Sequence, residues 1–281
     1  MSEVNKHLSA SSLGTFSRCG EAWRRRYMEY DVVAPTGALI RGKAFHHGAA
    51  ENMRQKIDSG KDMTVADIQD VSMHSANRQF QDSEIDAKEQ DQIIDVVATM
   101  AQGHVDLQAP SIMPEEVEKE FRIELPDISR DFLGYIDVVG KTVDDGELKV
   151  VDWKTSKKSP NATDVFDSIQ LTAYASHVMT ERNLSSIGVR LDHLILTPKA
   201  KAPKRKVLDS VRDGVDVAAL GQRVTVIAKS IDAGIFPPAA VGSWNCSEKW
   251  CGYWKTCPYV NSERKAGADK AKKLDELIQL I

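Results

Sequence analysis

Residues 131–154 read DFLGYIDVVGKTVDDGELKVVDWK, and this stretch decides the architecture. Residues 131–139 and 148–153 are rich in β-branched, aliphatic and aromatic side chains over lengths suited to strands. Asp144-Asp145-Gly146 lies between them as a turn signal, so a hairpin is expected. Asp152 and Lys154 are two residues apart on the second strand and therefore face the same way. Asp137 falls at the end of the first strand, where the hairpin brings it near Asp152.

Upstream the pattern is helical. Residues 9–30 open with capping serines and place Leu13, Phe16, Ala22 and Trp23 on an apolar face, which predicts one helix ended by Pro35 and Gly37. Residues 39–56 predict a second helix carrying His46, His47 and Glu51. A third starts near Thr64, with Asp67 at the capping-box offset. A fourth covers 87–108, with Ile93, Val97 and Met100 at helical spacing. VEKEFRIE at 117–124 alternates as a strand does. Downstream come a helix at 164–182, a strand at 189–197 and a basic loop, KAKAPKRK, at 199–206. A long helix at 213–233 follows, stopped by Pro237 and Pro238. Leu274, Leu277, Ile278 and Ile281 suggest a short docking helix at the end. No repeat or linker interrupts the chain, so one α/β domain with a helical N-terminal part and a cysteine-bearing C-terminal part is expected.

The chain has 281 residues, 42% apolar and 28% charged, with a net charge of −4. That balance is globular and not basic, so nucleic-acid contacts have to rest on local patches. No apolar run reaches the ~20 residues of a membrane span. The start, MSEVNKHLSASSL, lacks the apolar core of a secretory signal, and a cytoplasmic location is expected. In that compartment cysteines are better metal ligands than disulfide partners.

Paired carboxylates such as Asp137 and Asp152 make a hard-oxygen site suited to Mg²⁺ or Mn²⁺. Such a metal polarises a phosphodiester and acidifies a water. A lysine alongside orients that water and stabilises developing charge. An Asp-x-Lys pair is also common on solvated strands, so the context has to decide. His46 or His47 could complete the metal shell, and a nitrogen ligand favours Mn²⁺. Gln170, Tyr174 and His177 share a helical face, which either supports Lys154 and DNA or is an ordinary polar face.

Taken in order, these motifs resemble the RecB-like branch of the PD-(D/E)XK nucleases. The resemblance is closest to its iron–sulfur members, such as the AddB-type nuclease domain and the CRISPR-adaptation exonucleases, including phage-encoded forms. The matching motifs are LSASSL-x-x-F-x-x-C at 8–19 with WRRRY after it, G-x-x-x-H at 42–46, G-x-I-D at 134–137, VVDWKT at 150–155, Q-x-x-x-Y at 170–174 and AG-x-FPP at 233–238. The resemblance implies a restriction-endonuclease-like mixed sheet flanked by helices. It divides the single nuclease domain 1–281 into a helical part (1–110), a nuclease core (111–235), a cysteine region (236–260) and a tail (261–281). It selects His46 over His47 and implies a metal site of His46, Asp137, Asp152 and the backbone carbonyl of Trp153. Lys154 becomes the catalytic lysine, supported by Gln170 and Tyr174. Asp152 stands where many members carry Glu.

The four cysteines are Cys19 and the group Cys246, Cys251 and Cys257, spaced C-x4-C-x5-C. A site holding all four would tie the two ends of the chain together. The resemblance implies a 4Fe–4S cluster, and Cys257-Pro258 matches a step found in ferredoxins. A zinc site, usually built from two close pairs, and buried free thiols are the alternatives. Arg24, Arg25 and Arg26, with Lys157 and Lys158, are the candidate DNA contacts. The resulting expectation is a Mg²⁺- or Mn²⁺-dependent DNA exonuclease acting on single strands or ends, in recombination, repair, phage DNA metabolism or CRISPR adaptation, with a recombination or CRISPR-adaptation protein as partner. The alternative is a non-catalytic iron–sulfur or zinc DNA-binding accessory protein.

Overall fold

In the computed structural model, residues 7–31, 33–124, 128 and 130–265 are described. The element order is β1 (His7–Leu8), α1 (Ala10–Arg18), α2 (Gly20–Tyr27), α3 (Gly37–Ser59), α4 (Val65–Phe80), α5 (Ala87–Gly103), β2 (Ile112–Ile123), β3 (Asp131–Thr142), β4 (Leu148–Ser156), α6 (Ile169–Glu181), β5 (Ser186–Ile195), β6 (Lys204–Asp213) and α7 (Gly214–Asp232). Cα packing groups these into two compact units, one formed by residues 7–10 and 34–225 and the other by 11–33 with 226 onward. The boundaries fall within α1, between residues 33 and 34, and within α7.

The larger unit is built on a six-stranded mixed sheet with strand order β1-β3-β4-β5-β6, β2 pairing with β3 off this path. β3 and β4 are antiparallel, as the expected hairpin requires, and β4 and β5 are parallel with α6 as the crossover. This is the α/β fold with an open mixed sheet flanked by helices that the motif order implied. The ladder between β3 and β4 is short and runs only from Val138↔Val151 to Lys141↔Leu148. Toward Asp137 the two strands part, while β3 stays paired with β2 and β4 with β5.

Helix α3 packs against this sheet. Thr36 caps its start, its Oγ1 accepting the Leu39 N–H, and Gly60 ends it at φ +71°, a left-handed conformation that favours glycine. Phe45, Ala49 and Met53, four residues apart, are buried in one cluster with Val138, Val151, Trp153 and Leu194. Ile40 and Ala44, one face over, join Ala76, Ile93 and Val97 from α4 and α5. Each fully buried Phe or Met contributes about 1.5–3 kcal/mol, so this face fixes where the helix lies. A Cβ at Gly48 would stand 1.9 Å from Ser72 Oγ, so α3 and α4 approach closely there.

Several elements differ from expectation. The helix expected at 9–30 is two, because Cys19 adopts extended backbone and caps α2, its Sγ accepting the Ala22 N–H at 3.4 Å. The helix expected through 108 leaves α-geometry at His104 and continues as a π-turn to Gln108. Gln108 is held there by bonds from its Nε2 to the backbone oxygen and Oδ1 of Asp192 on β5. α6 starts at Ile169 instead of 164, because Ser168 caps it. The basic loop at 199–206 gives way to β6 from Lys204, whose Arg205 pairs with buried Asp192. β2 begins at Ile112, earlier than the alternating pattern marked.

The smaller unit joins chain segments far apart in sequence. The Trp23 and Phe236 rings stack 5.9 Å apart, and Phe16 meets both edge-on. Gly20 sits against Phe236 and Pro237, where a Cβ would meet backbone at 2.8 Å, and its N–H donates to the Pro237 carbonyl. Among the described residues no helix is long and apolar enough to cross a membrane. The docking helix expected near 274–281 lies outside the described residues.

Candidate active site

The fork between β3 and β4 collects the chemistry. Asp137 and Asp152 occupy the rung next to Val138↔Val151, where pairing has ceased. The Trp153 N–H donates to Asp137 Oδ2 at 2.9 Å in place of a strand carbonyl, so the side chain closes the gap the backbone leaves. His46, on α3 beside buried Phe45, places its Nδ1 3.3 Å from the same Oδ2. Lys154 Nζ donates to Asp152 Oδ1 at 2.9 Å and to Gln170 Oε1 at 3.1 Å. Gln170 Nε2 then donates to the Tyr174 hydroxyl, one turn along α6. Six of the expected residues thus meet in one site: His46, Asp137, Asp152, Lys154, Gln170 and Tyr174. Trp153 lies beyond the last β3–β4 rung.

Charge in the site is unevenly held. Burial pushes the Asp152 carboxyl up, Lys154 counters in part, Asp137 adds to the rise, and its pKa stands at about 6. Burial also works against charge on Asp137, but His46, Lys154 and the Trp153 amide outweigh it and its pKa is lowered. Burial disfavours imidazolium at His46, and the Asp137 carboxylate overcomes this and raises the pKa. Lys154 is likewise raised by Asp152 and Asp137 against burial. Asp152 is fully buried, and its Oδ2 lies 2.7 Å from Lys154 Nζ but off the hydrogen-bonding direction, which leaves that oxygen without a donor. A buried carboxylate oxygen without a donor, beside a second carboxylate and an imidazole, fits a divalent cation.

One further residue joins the group. Ligand atoms of His46, Glu118 and Asp137 all lie within 4.8 Å of one another. Val117 pairs with Val138 and Lys119 with Ile136, but Glu118 is unpaired opposite Asp137 and takes a left-handed φ of +47°. Burial and the nearby Asp137 charge raise the Glu118 carboxyl. A left-handed backbone is strained for a non-glycine residue, and here it sets the Glu118 carboxylate within reach of His46 and Asp137. In sequence Glu118 is one of several acids in VEKEF, and nothing there signals the break in the ladder.

Other candidates lie elsewhere. His47 lines a separate open surface with Glu51 and His74. His177 stacks on Phe121, with ring centroids 5.1 Å apart, and does not join Lys154. Arg24 pairs with Glu21 and Glu29, and Arg25 with Asp31. The Arg26 guanidinium stands 5.6 Å from the centroid of the Tyr27 ring. Lys157 and Lys158 are exposed just past β4. In the smaller unit Cys19, Cys246, Cys251 and Cys257 line one cavity of about 270 Å³, walled by Trp250, Tyr253 and Trp254. Burial raises the Cys251 thiol, and the other three thiols add to the rise. Arg264 Nη2 reaches Cys246 Sγ at 3.8 Å.

The sequence profile described as the PD-(D/E)XK nuclease superfamily matches residues 7–258. No curated protein matches the chain. A solved structure titled "Crystal structure of SSO0001" aligns at 12% identity with a TM-score of 0.35, covering 90% of this chain and 96% of the other. That likeness is too loose to bear on fold or activity.

Proposed function

The chain belongs to the PD-(D/E)XK nuclease superfamily, and from this premise we propose that it is a DNA exonuclease acting on single strands or DNA ends with Mg²⁺ or Mn²⁺. The observation that carries this reading is the fork: two buried aspartates face each other where strands part, with Lys154 bridging Asp152 to Gln170. His46, Asp137, Asp152 and the Trp153 carbonyl would hold the metal, with Glu118 beside them. A divalent ion bound there polarises the scissile phosphate and lowers the pKa of water. Asp137 keeps its negative charge through His46 and the Trp153 amide. Lys154, charged and anchored by Asp152 and Gln170, stands ready to orient the attacking water and steady charge on phosphate oxygens. Tyr174 holds Gln170, and Gln170 holds Lys154. Lys157 and Lys158 offer backbone contacts beyond the strand end, while Arg24 and Arg25 already have carboxylate partners.

We also read the chain as an iron–sulfur member of the RecB-like branch, serving recombination, repair, phage DNA metabolism or CRISPR adaptation. Four soft thiolates on one cavity suit iron or zinc. A single zinc needs its sulfurs about 3.8 Å apart, from Zn–S bonds of about 2.3 Å. In the described structure the four thiols share one cavity of about 270 Å³. Iron and sulfide analysis of anaerobically purified protein tests the iron–sulfur reading.

The activity test is direct. End-labelled single strands with Mn²⁺ should shorten from an end, EDTA should stop the reaction, and Asp152→Ala or Lys154→Ala should abolish it. Cleavage that survives both substitutions sinks the site assignment. Binding without any cleavage, indifferent to both substitutions, would favour the accessory protein instead.

A further inference from the structure

A second site lies on the same unit, at the carboxyl ends of the parallel strands β4 and β5, where open α/β sheets bind ligands. It is a cavity of about 510 Å³, within the range of small-molecule pockets. Arg41 of α3 and Lys157 line it, with Thr155 at the end of β4. Val96, Met100 and Leu196 supply an apolar floor. Arg41 is half-buried, and among the described residues its guanidinium has no hydrogen-bond or ion-pair partner. Burial pulls its pKa down, with only the more distant Glu89 charge acting against this. Holding a cation partly out of water without a partner is unfavourable unless an anion arrives. Lys157 likewise has no side-chain partner among the described residues. Asp95, exposed, is the carboxylate among the lining residues, so the lining itself carries two cations against one anion, with Glu89 acting on Arg41 from outside it.

We propose that this cavity seats one nucleotide of the DNA strand, its phosphate on Arg41 and Lys157 and its base and sugar on the Val96–Met100–Leu196 floor. Its position follows from the chain. Thr155 succeeds Lys154 on β4, and Arg41 precedes His46 by five residues on α3, about 7.5 Å along the axis. Consecutive strand residues face opposite sides, so Thr155 opens the cavity on the face of β4 away from Lys154, and a DNA strand reaches it across the exposed end of β4 at Lys157. Arginine suits the role because its planar fork grips two phosphate oxygens at once. This inference rests on the nuclease reading.

The test uses a fluorescent ten-nucleotide dT strand with Ca²⁺ in place of Mn²⁺, followed by anisotropy across a salt titration. Arg41→Gln and Lys157→Gln should each weaken binding about tenfold, the loss of one charged hydrogen bond. Each should make the slope of log K against log salt shallower by about 0.7, one single-strand phosphate contact. Arg41→Lys, which keeps the charge, should retain the slope. Free dTMP should compete for the wild-type protein and lose that effect with Arg41→Gln. Unchanged slopes together with unchanged dTMP competition overturn the proposal. If Asp152→Ala abolishes cleavage while Arg41→Gln binds as the wild type does, the pocket is wrong and the nuclease reading stands. If the wild type cuts nothing yet Arg41→Gln weakens binding, the pocket stands and the nuclease reading falls.

Discussion

His104 makes the stability of this protein depend on acid. It is fully buried at the start of the π-turn, with its ring 4.9 Å from Trp153 and 5.9 Å from Phe45, edge-to-face with both. Nδ1 lies 3.1 Å from Gln108 Oε1 and is the donor in that pair, since an amide oxygen only accepts, while Nε2 has no partner among the described residues. A proton added at Nε2 would be a buried, unpaired N–H on a cation. Burial accordingly lowers the His104 pKa from 6.5 to about 4, with Gln108 and Asp192 opposing in part. The folded state therefore favours the neutral ring, and as pH falls the unfolded chain takes the proton first. The stability this residue contributes is full above pH ~6.5, falls between ~6.5 and ~4, and is gone below. A shift of roughly 2.5 pH units at 1.36 kcal/mol each gives about 3 kcal/mol over that window. Denaturant melts at half-unit pH steps would measure it, with His104→Asn as the comparison, since Asn can still donate to Gln108 but does not titrate. The wild type should take up one more proton on unfolding than the variant between pH 6.5 and 4. Parallel pH profiles for the two proteins would refute the reasoning.

Glu118→Ala and Glu118→Gly should each weaken Mn²⁺ binding by roughly tenfold or more in calorimetry. Without metal the Gly variant should be about 1 kcal/mol more stable than the Ala variant, because only glycine adopts φ +47° without strain. Equal stabilities would mean the backbone relaxes there. Cys251→Ser should lose iron and sulfide from anaerobic preparations and melt at lower temperature. Full cluster content in that variant would remove Cys251 from the ligand set.

Much of this was legible in the sequence, for a physical reason. The hairpin at 131–154 is local, so turn chemistry and alternation mark it, and Asp137 and Asp152 come together without long-range information. Helix α3 was legible as a stretch at 39–56 carrying His46, and in the structure Phe45, Ala49 and Met53, at helical spacing, seat it on the sheet. What escaped depends on partners distant in the chain. β6 looked like a basic loop because its cations are read one at a time, whereas in the sheet Arg205 meets buried Asp192 and Arg212 reaches Thr172. Arg41 escaped because an arginine on a helix is normally solvated, and only the packed structure leaves it half-buried without a partner among the described residues. Glu118 escaped because alternation in β2 predicts an ordinary strand, and the missing pair opposite Asp137 shows only in the folded ladder.

The stacking of Trp23 on Phe236 has a consequence for synthesis. Roughly two hundred residues separate the two rings, so at about 5–20 residues per second the N-terminal helices wait some 10–40 s for their partner. Residues 34–225, which pack as a unit of their own, emerge in the meantime. Cys19 therefore meets solvent as a lone thiol on an unfinished helix pair until Cys246, Cys251 and Cys257 leave the ribosome. Ribosome-bound chains arrested before residue 236 should label readily at Cys19 with a maleimide, and released full-length protein should not.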